Sequence, residues 1–180
     1  MYPARHVQRI IDNELYGEGL TKGKQLIDKV IDKECLLILM GDRGRGKTQL
    51  ATWLAYERAR RSGGRVGYYY KVSDLLDIIK ESYGGDTAAK ERARTTLNIV
   101  RNTEFLVLDE HNQLRGTEWE REKMTSLIDH RYDRMKRTII NIAETDQAKA
   151  AAQIGRCVWS RVEETGGVVA MNWNSYRENV

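Results

Sequence analysis

The run Gly41-Asp42-Arg43-Gly44-Arg45-Gly46-Lys47-Thr48 has the spacing G-x-x-x-x-G-K-[ST]. The chemistry behind that spacing is specific. A nucleoside triphosphate is a dense anion, and holding it takes backbone N–H groups at close range in a positive field. Gly41 and Gly46 occupy the fixed glycine positions and Gly44 adds freedom. Lys47 is expected to reach the outer phosphates, and the Thr48 hydroxyl to bind Mg2+. Asp42, Arg43 and Arg45 within the loop, and Gln49 after it, complete the expected nucleotide-binding set. The bland alternative is a glycine turn with a surface lysine. The four fixed positions arise by chance in roughly one chain in a hundred of this size, and here they also sit between an apolar run and a helical pattern.

The second constellation is Phe105-Leu106-Val107-Leu108-Asp109-Glu110. Four apolar residues read as a buried strand, and its end lies where sheet ligands bind. Asp109 there would hold Mg2+, directly or through water, and Glu110 would polarise an attacking water. The alternative for Asp109 is a strand-end turn residue. Two adjacent acids after a phosphate loop favour hydrolysis over transfer to another acceptor.

These residues need a scaffold, and the apolar periodicity supplies one. Strands are expected at Cys35–Met40, Val66–Val72, Phe105–Leu108, Thr138–Ala143 and Val168–Trp173. Helices are expected over Thr48–Arg61, from a Ser73 cap onward, over Thr87–Arg101 after an Asp86 cap, from a Thr117/Glu120 capping box to about Met135, and over Asp146–Glu164 with a break at Gly155. Residues 4–33 read as two short helices interrupted by Gly17, Gly19 and Gly23. The alternation predicts an α/β fold with a five-stranded, mainly parallel sheet in the order 5-1-4-3-2. Residues 1–34 form a short N-terminal helical segment in this reading, and 35–180 the catalytic domain.

The chain has 180 residues, 41% hydrophobic and 31% charged, as a globular domain should. No apolar run is long enough to span a membrane, and the first residues lack the apolar core of a signal peptide, so the expected location is cytoplasmic. Cys35 and Cys157, with three scattered histidines, offer no metal-ligand spacing. Any metal is expected to arrive with the nucleotide. The net charge of +4 permits nucleic-acid binding without requiring it. Arg58, Arg60, Arg61 and Arg65 form one basic cluster, and Arg131, Arg134, Lys136 and Arg137 another. They are either solvated helix ends or a surface that tracks DNA phosphates.

From about Leu36 to Arg177 the chain resembles the DnaC/IstB-type AAA+ ATPases, which include bacterial replicative helicase loaders and transposition helpers. The resemblance rests on the phosphate loop, on Leu127, Ile128, Asp129, Arg131, Tyr132 and Thr138-Ile139, and on the ending Asn172-Trp173-Asn174-Ser175-Tyr176-Arg177. Asn174 stands where the loaders have Asp. The resemblance implies a P-loop NTPase of the AAA+/ASCE class with a minimal or absent C-terminal lid, ATP and Mg2+ as ligands, and a homo-oligomer with ATP at subunit interfaces. It implies Arg161 as the arginine finger that completes a neighbour's site, with Arg156 as a second candidate, and Arg177 as the sensor-2 arginine. Thr117 and Trp119 match positions linked to single-stranded DNA. The sensor-1 Asn aligns with Ala143, and Asn141, two residues earlier on the same side of the strand, is its candidate replacement. Loaders carry a larger N-terminal domain that grips a replicative helicase. Residues 1–34 are fewer, which implies a compact, phage-encoded relative or a shortened chain.

The expected activity is therefore DNA-stimulated ATP hydrolysis in an assembly on single-stranded DNA that helps load a replicative helicase. The alternatives are an IstB-like helper acting on duplex DNA, a small-molecule kinase, and a module that binds nucleotide without turning it over.

Overall fold

A computed structural model describes residues 1–15, 17–32, 36–111 and 116–176, with residues 27–32 described as backbone. Five strands form one sheet: β1 (Leu36–Met40), β2 (Tyr68–Lys71), β3 (Phe105–Asp109), β4 (Arg137–Ile142) and β5 (Gly167–Ala170). Their spatial order is β2-β3-β4-β1-β5, and every pairing is parallel. This is the expected order read from the other edge. β1 and β3 are buried at every position, which explains their unbroken apolar sequence: helices cover both faces.

The strands alternate their side chains between two cores. Ile38, Met40, Leu106, Leu108, Ile140 and Ile142 join one core with α4 (Val72–Gly84), α5 (Thr87–Asn102), α6 (Glu118–Asp133), α7 (Gln147–Ile154) and α8 (Arg156–Thr165). Leu37, Leu39, Val107 and Ile139 join the other with α3 (Lys47–Ser62), whose Leu50, Ala51, Leu54 and Ala55 face inward. Tyr2 also lies in that second core, 7% exposed, ahead of α1 (Ala4–Ile11). Two caps form as expected. Asp86 accepts from Ala89 N, and Thr117 and Glu120 close a reciprocal capping box.

Several elements depart from the sequence reading. Two helices do form before β1, α1 and α2 (Gly17–Asp32), but only Gly17 marks a boundary, opening α2 at φ 76°, while Gly19 and Gly23 lie inside α2 without breaking it. Gly23 is there for close approach: a Cβ on it would stand 2.8 Å from the Trp53 ring on α3. Ser73 does not cap α4, which starts at Val72, two residues before the start a Ser73 cap would set, with Lys71 as N-cap. β2 and β5 are shorter than expected. Cys35 lies outside the described residues.

The basic clusters are also not uniformly surface. Arg131 is fully buried. Its Nε donates to Thr138 Oγ1 at 2.8 Å, Nη1 to Val100 O at 2.7 Å and Thr103 O at 3.0 Å, and Nη2 to Arg137 O at 2.7 Å. One guanidinium thus ties the end of α5, the start of β4 and the end of α6. Burial pushes its pKa down to about 9, so it remains charged at neutral pH. Arg58 is 7% exposed and sits 5.8 Å over the Phe105 ring. Neither can track a DNA backbone. A geometric need of the fold, with no trace in charge pattern, decides both.

Candidate functional site

The loop after β1 begins at Gly41, with φ 147°. A Cβ there would stand 2.7 Å from the Met171 carbonyl oxygen, so only glycine fits. Gly44 and Gly46 take φ values of 85° and 86°, a left-handed backbone that other residues resist. Gly46 caps α3 without a side-chain hydrogen bond. The first-turn N–H groups of α3 are therefore left for an anion. Lys47 Nζ donates to Gly41 O at 2.5 Å and Asp42 O at 2.7 Å, which curls the ammonium over the loop.

The chain's last described segment braces that loop. Trp173 Nε1 donates to Arg45 O at 3.0 Å, and the Arg45 guanidinium donates to Trp173 O. Tyr176 N donates to Gly44 O at 3.1 Å. The Tyr176 hydroxyl accepts from Gly19 N at 3.0 Å, which links the brace to α2.

Register brings the carboxylates to the same edge. Leu108 pairs with Ile140, so Asp109 and Asn141 follow side by side. Asp109 is 4% exposed and accepts four hydrogen bonds. Thr48 Oγ1 and the Tyr69 hydroxyl each donate to its Oδ2 at 2.7 Å. Asn141 Nδ2 and Glu110 N donate to its Oδ1 at 3.0 and 2.8 Å. Burial, then the Asp109 charge, push the Tyr69 hydroxyl well above its ordinary pKa, so it stays protonated and donates. Glu110 adopts φ 58°, and its Oε2 lies 2.9 Å from Lys71 Nζ. That contact raises the Lys71 pKa. His111, 3% exposed, follows directly. Neither of its ring nitrogens has a hydrogen-bond partner among the described residues, and burial pushes its pKa down to about 4.

Between these groups runs a cleft of about 550 Å³ lined by Lys47, Thr48, Asp109, Glu110 and Asn141. An apolar slot of about 100 Å³ adjoins it behind Gly46, walled by Leu15, Leu20, Leu50, Trp53 and Tyr176. Polar cleft and apolar slot suit the phosphates and the base of one nucleotide. Among the described residues no cluster of three or more His, Cys, Asp or Glu side chains would hold a metal alone. Thr48 and Asp109, already 2.7 Å apart, match instead a cation that takes its other ligands from phosphates and water.

The structure gathers Gly44, Gly46, Lys47, Thr48, Asp109, Glu110 and Asn141 around one cleft, and Gly41 joins them only through its carbonyl, which accepts from Lys47 Nζ. Ala143 lines it too, but the side chain that reaches Asp109 is Asn141. Arg43 lines the cleft, while Asp42 is paired with Arg45 at 2.9 Å. Gln49 faces α1: it donates to His6 O at 3.1 Å, and its Oε1 accepts from His6 Nδ1 at 2.7 Å. Arg161 is not brought to the cleft of its own chain. It pairs with Asp129 at 2.8 Å and lies 5.3 Å over the Tyr132 ring. Arg156 is exposed. Arg177 lies outside the described residues. The Thr117 hydroxyl is engaged in its cap, and Trp119 packs against the first core and, edge-on at 6.1 Å, against Tyr83.

Sequence reasoning missed Tyr69, Lys71, Tyr176 and the α1 residues Arg5, His6 and Arg9, which all reach the site. For Lys71 the signal was available: parallel pairing of β2 with β3 sets Lys71 beside Asp109.

Among solved structures, the chain is similar to the DnaC helicase loader, at 23% identity and a TM-score of 0.76 over 93% of this chain and 99% of that one. DnaI matches at 19% identity and TM-score 0.69 over 94% and 95%. The replication initiator DnaA, bound to AMPPCP and single-stranded DNA, matches at 21% and 0.68 over 91% of this chain and 49% of that one. No curated protein matches the sequence. No helix among the described residues is long and apolar enough to cross a membrane. The model for IstB-like ATP-binding proteins matches residues 25–180. With that match over most of its length, and a fold shared with the DnaC and DnaI structures, the chain belongs to the IstB-like ATP-binding proteins, the DnaC/IstB type of AAA+ ATPase.

Proposed function

We propose that the protein is an ATP-hydrolysing DNA-replication factor of the helicase-loader kind. The observation that carries the reading is the bonded set Thr48–Asp109–Asn141 at the mouth of the phosphate loop, with Glu110 next to it. Lys47 and the N–H groups at the start of α3 hold the phosphate tail. Thr48 and Asp109 would hold Mg2+, which would supply charge neutralisation on the outer phosphates. Glu110 orients water toward the terminal phosphorus, and Asn141 fixes the Asp109 carboxylate. Arg161, remote from its own cleft, serves the site of a neighbouring copy, where a guanidinium stabilises charge on the transferred group. ATP then lies at the interface of a homo-oligomer, and hydrolysis changes the grip on single-stranded DNA and on a replicative helicase. Thr117 and Trp119 are the proposed DNA contacts, and Arg177 a phosphate contact. A cytoplasmic location is part of this reading.

The test is ATP turnover by wild type and Arg161→Ala, each with and without single-stranded DNA. The reading expects stimulation by DNA, and loss of turnover with retained nucleotide binding in the variant. Turnover indifferent to both sinks the trans-acting finger and the DNA-linked assembly.

A second reading, a transposition helper assembling on duplex DNA, is favoured by the IstB-like family match itself. Stimulation by duplex in preference to single strands would select it.

A further inference from the structure

Part of the lining of the phosphate cleft lies outside the family match. The match begins at residue 25, yet Arg5, His6 and Arg9 of α1 line the cleft. Arg5 and Arg9 are four residues apart, hence on one helical face. Arg9 also lines the apolar slot, so it stands where slot and cleft meet. Arg5 lines the cleft only.

The helix that carries them is firmly seated. Tyr2 is buried against Tyr56 and Tyr69, with ring centroids 5.9 and 5.7 Å away. Its hydroxyl donates to Val66 O at 3.3 Å. His6 and Gln49 exchange two hydrogen bonds, which dock α1 on the first turn of the phosphate-loop helix. Burial lowers the His6 pKa, and a neutral ring donating through Nδ1 matches this geometry.

The cations of α1 are not spent on local acids. Gln8 bonds Asp12 at 2.9 Å, but Arg9 has no ion pair among the described residues, and Arg5 donates only to His6 Nε2 at 3.4 Å. The cleft thus holds Arg5, Arg9, Arg43 and Lys47 against Asp109 and Glu110, and Glu110 already faces Lys71. That surplus of positive charge suits a polyphosphate.

We propose that α1 is a nucleotide-binding element, with Arg9 contacting the inner phosphate of bound ATP and Arg5 the outer ones, so that ATP occupancy pins the N-terminal helix. The proposal rests on the cleft being the ATP site. It gives the segment ahead of the family match a direct role, and makes its position report which nucleotide is bound.

Binding of fluorescent methylanthraniloyl-ATP and -ADP with Mg2+ is measured for wild type, Arg5→Gln, Arg9→Gln, the double variant and Lys47→Ala. Both arginines are exposed, so the fold should survive their replacement. Arg9→Gln should weaken both nucleotides about tenfold, and Arg5→Gln should weaken ATP more than ADP. In the wild type, ATP should slow hydrogen exchange of amides in residues 4–11. A double variant within twofold of wild type, while Lys47→Ala loses binding, overturns the role of α1 and leaves the cleft assignment standing. Unchanged exchange in residues 4–11 overturns the pinning. If Lys47→Ala binds ATP as wild type does, the cleft assignment itself fails, and the proposal with it.

Discussion

Replacing Arg131 by Met tests whether a buried cation, rather than a DNA-facing one, occupies that position. Methionine keeps the unbranched stem and removes the guanidinium. Four hydrogen bonds of 2.7 to 3.0 Å disappear, three of them to backbone carbonyls. A buried carbonyl without a partner costs about 1–3 kcal/mol. Part of this is offset, because a charged group no longer needs to be desolvated. Three such carbonyls, less that offset, leave a loss of about 3–5 kcal/mol net, a large share of the roughly 5–15 kcal/mol that stabilises a domain. With a urea slope of about 2 kcal/mol per molar, the midpoint should fall by about 2 M, followed by tryptophan fluorescence. Arg131→Lys, which retains a charge but only one donor nitrogen, should fall between. Arg134→Met, at an exposed position, should stay within about 0.5 kcal/mol. An Arg131→Met midpoint equal to that of Arg134→Met would refute the argument, since the carbonyls would then be satisfied by other means.

Two further outcomes follow from burial. His111 has a folded pKa of about 4, below its ordinary 6.5, so the unfolded chain binds more protons between those values. Stability present above pH 6.5 should therefore be lost as pH falls toward 4, by roughly 3 kcal/mol. In His111→Phe the pH slope of urea stability across that window should shrink by about one proton; an unchanged slope would place the titration elsewhere. Gly23→Ala gains about 1 kcal/mol of helix propensity but drives a methyl into Trp53. Overpacking costs about 1–3 kcal/mol, so thermal unfolding should show net destabilisation, and a stabilised variant would contradict the close approach of α2 and α3.

The sheet and the phosphate site were legible because each has a local signature. β1 and β3 announce themselves as apolar runs, and Gly41 to Thr48 as a fixed spacing. Strand order also followed, because the layout of such sheets is shared. What stayed hidden depends on contacts between segments far apart in the chain. Charge pattern does not distinguish Arg131 from Arg134, and only the convergence of α5, α6 and β4 buries one of them. Gly23 of α2 looks like a helix breaker until the Trp53 ring is placed against it, and Gly19 until the Tyr176 hydroxyl is. Tyr69 reads as one tyrosine in a run of three, until β2 pairs with β3 and its hydroxyl meets Asp109.

The brace between Trp173 and Arg45 spans 128 residues, and this has a consequence for biosynthesis. As the chain leaves the ribosome, the phosphate loop appears 128 residues ahead of its partner. β1 cannot complete its pairing until β4 and β5 have been made. Loop closure over such distances is slow, so nascent chains carry the nucleotide-binding sequence long before they can hold its shape. ATP therefore cannot reward a half-made chain, and saturating nucleotide should speed none of the early folding steps. Its stabilising effect should appear only after residues 171–176 have docked.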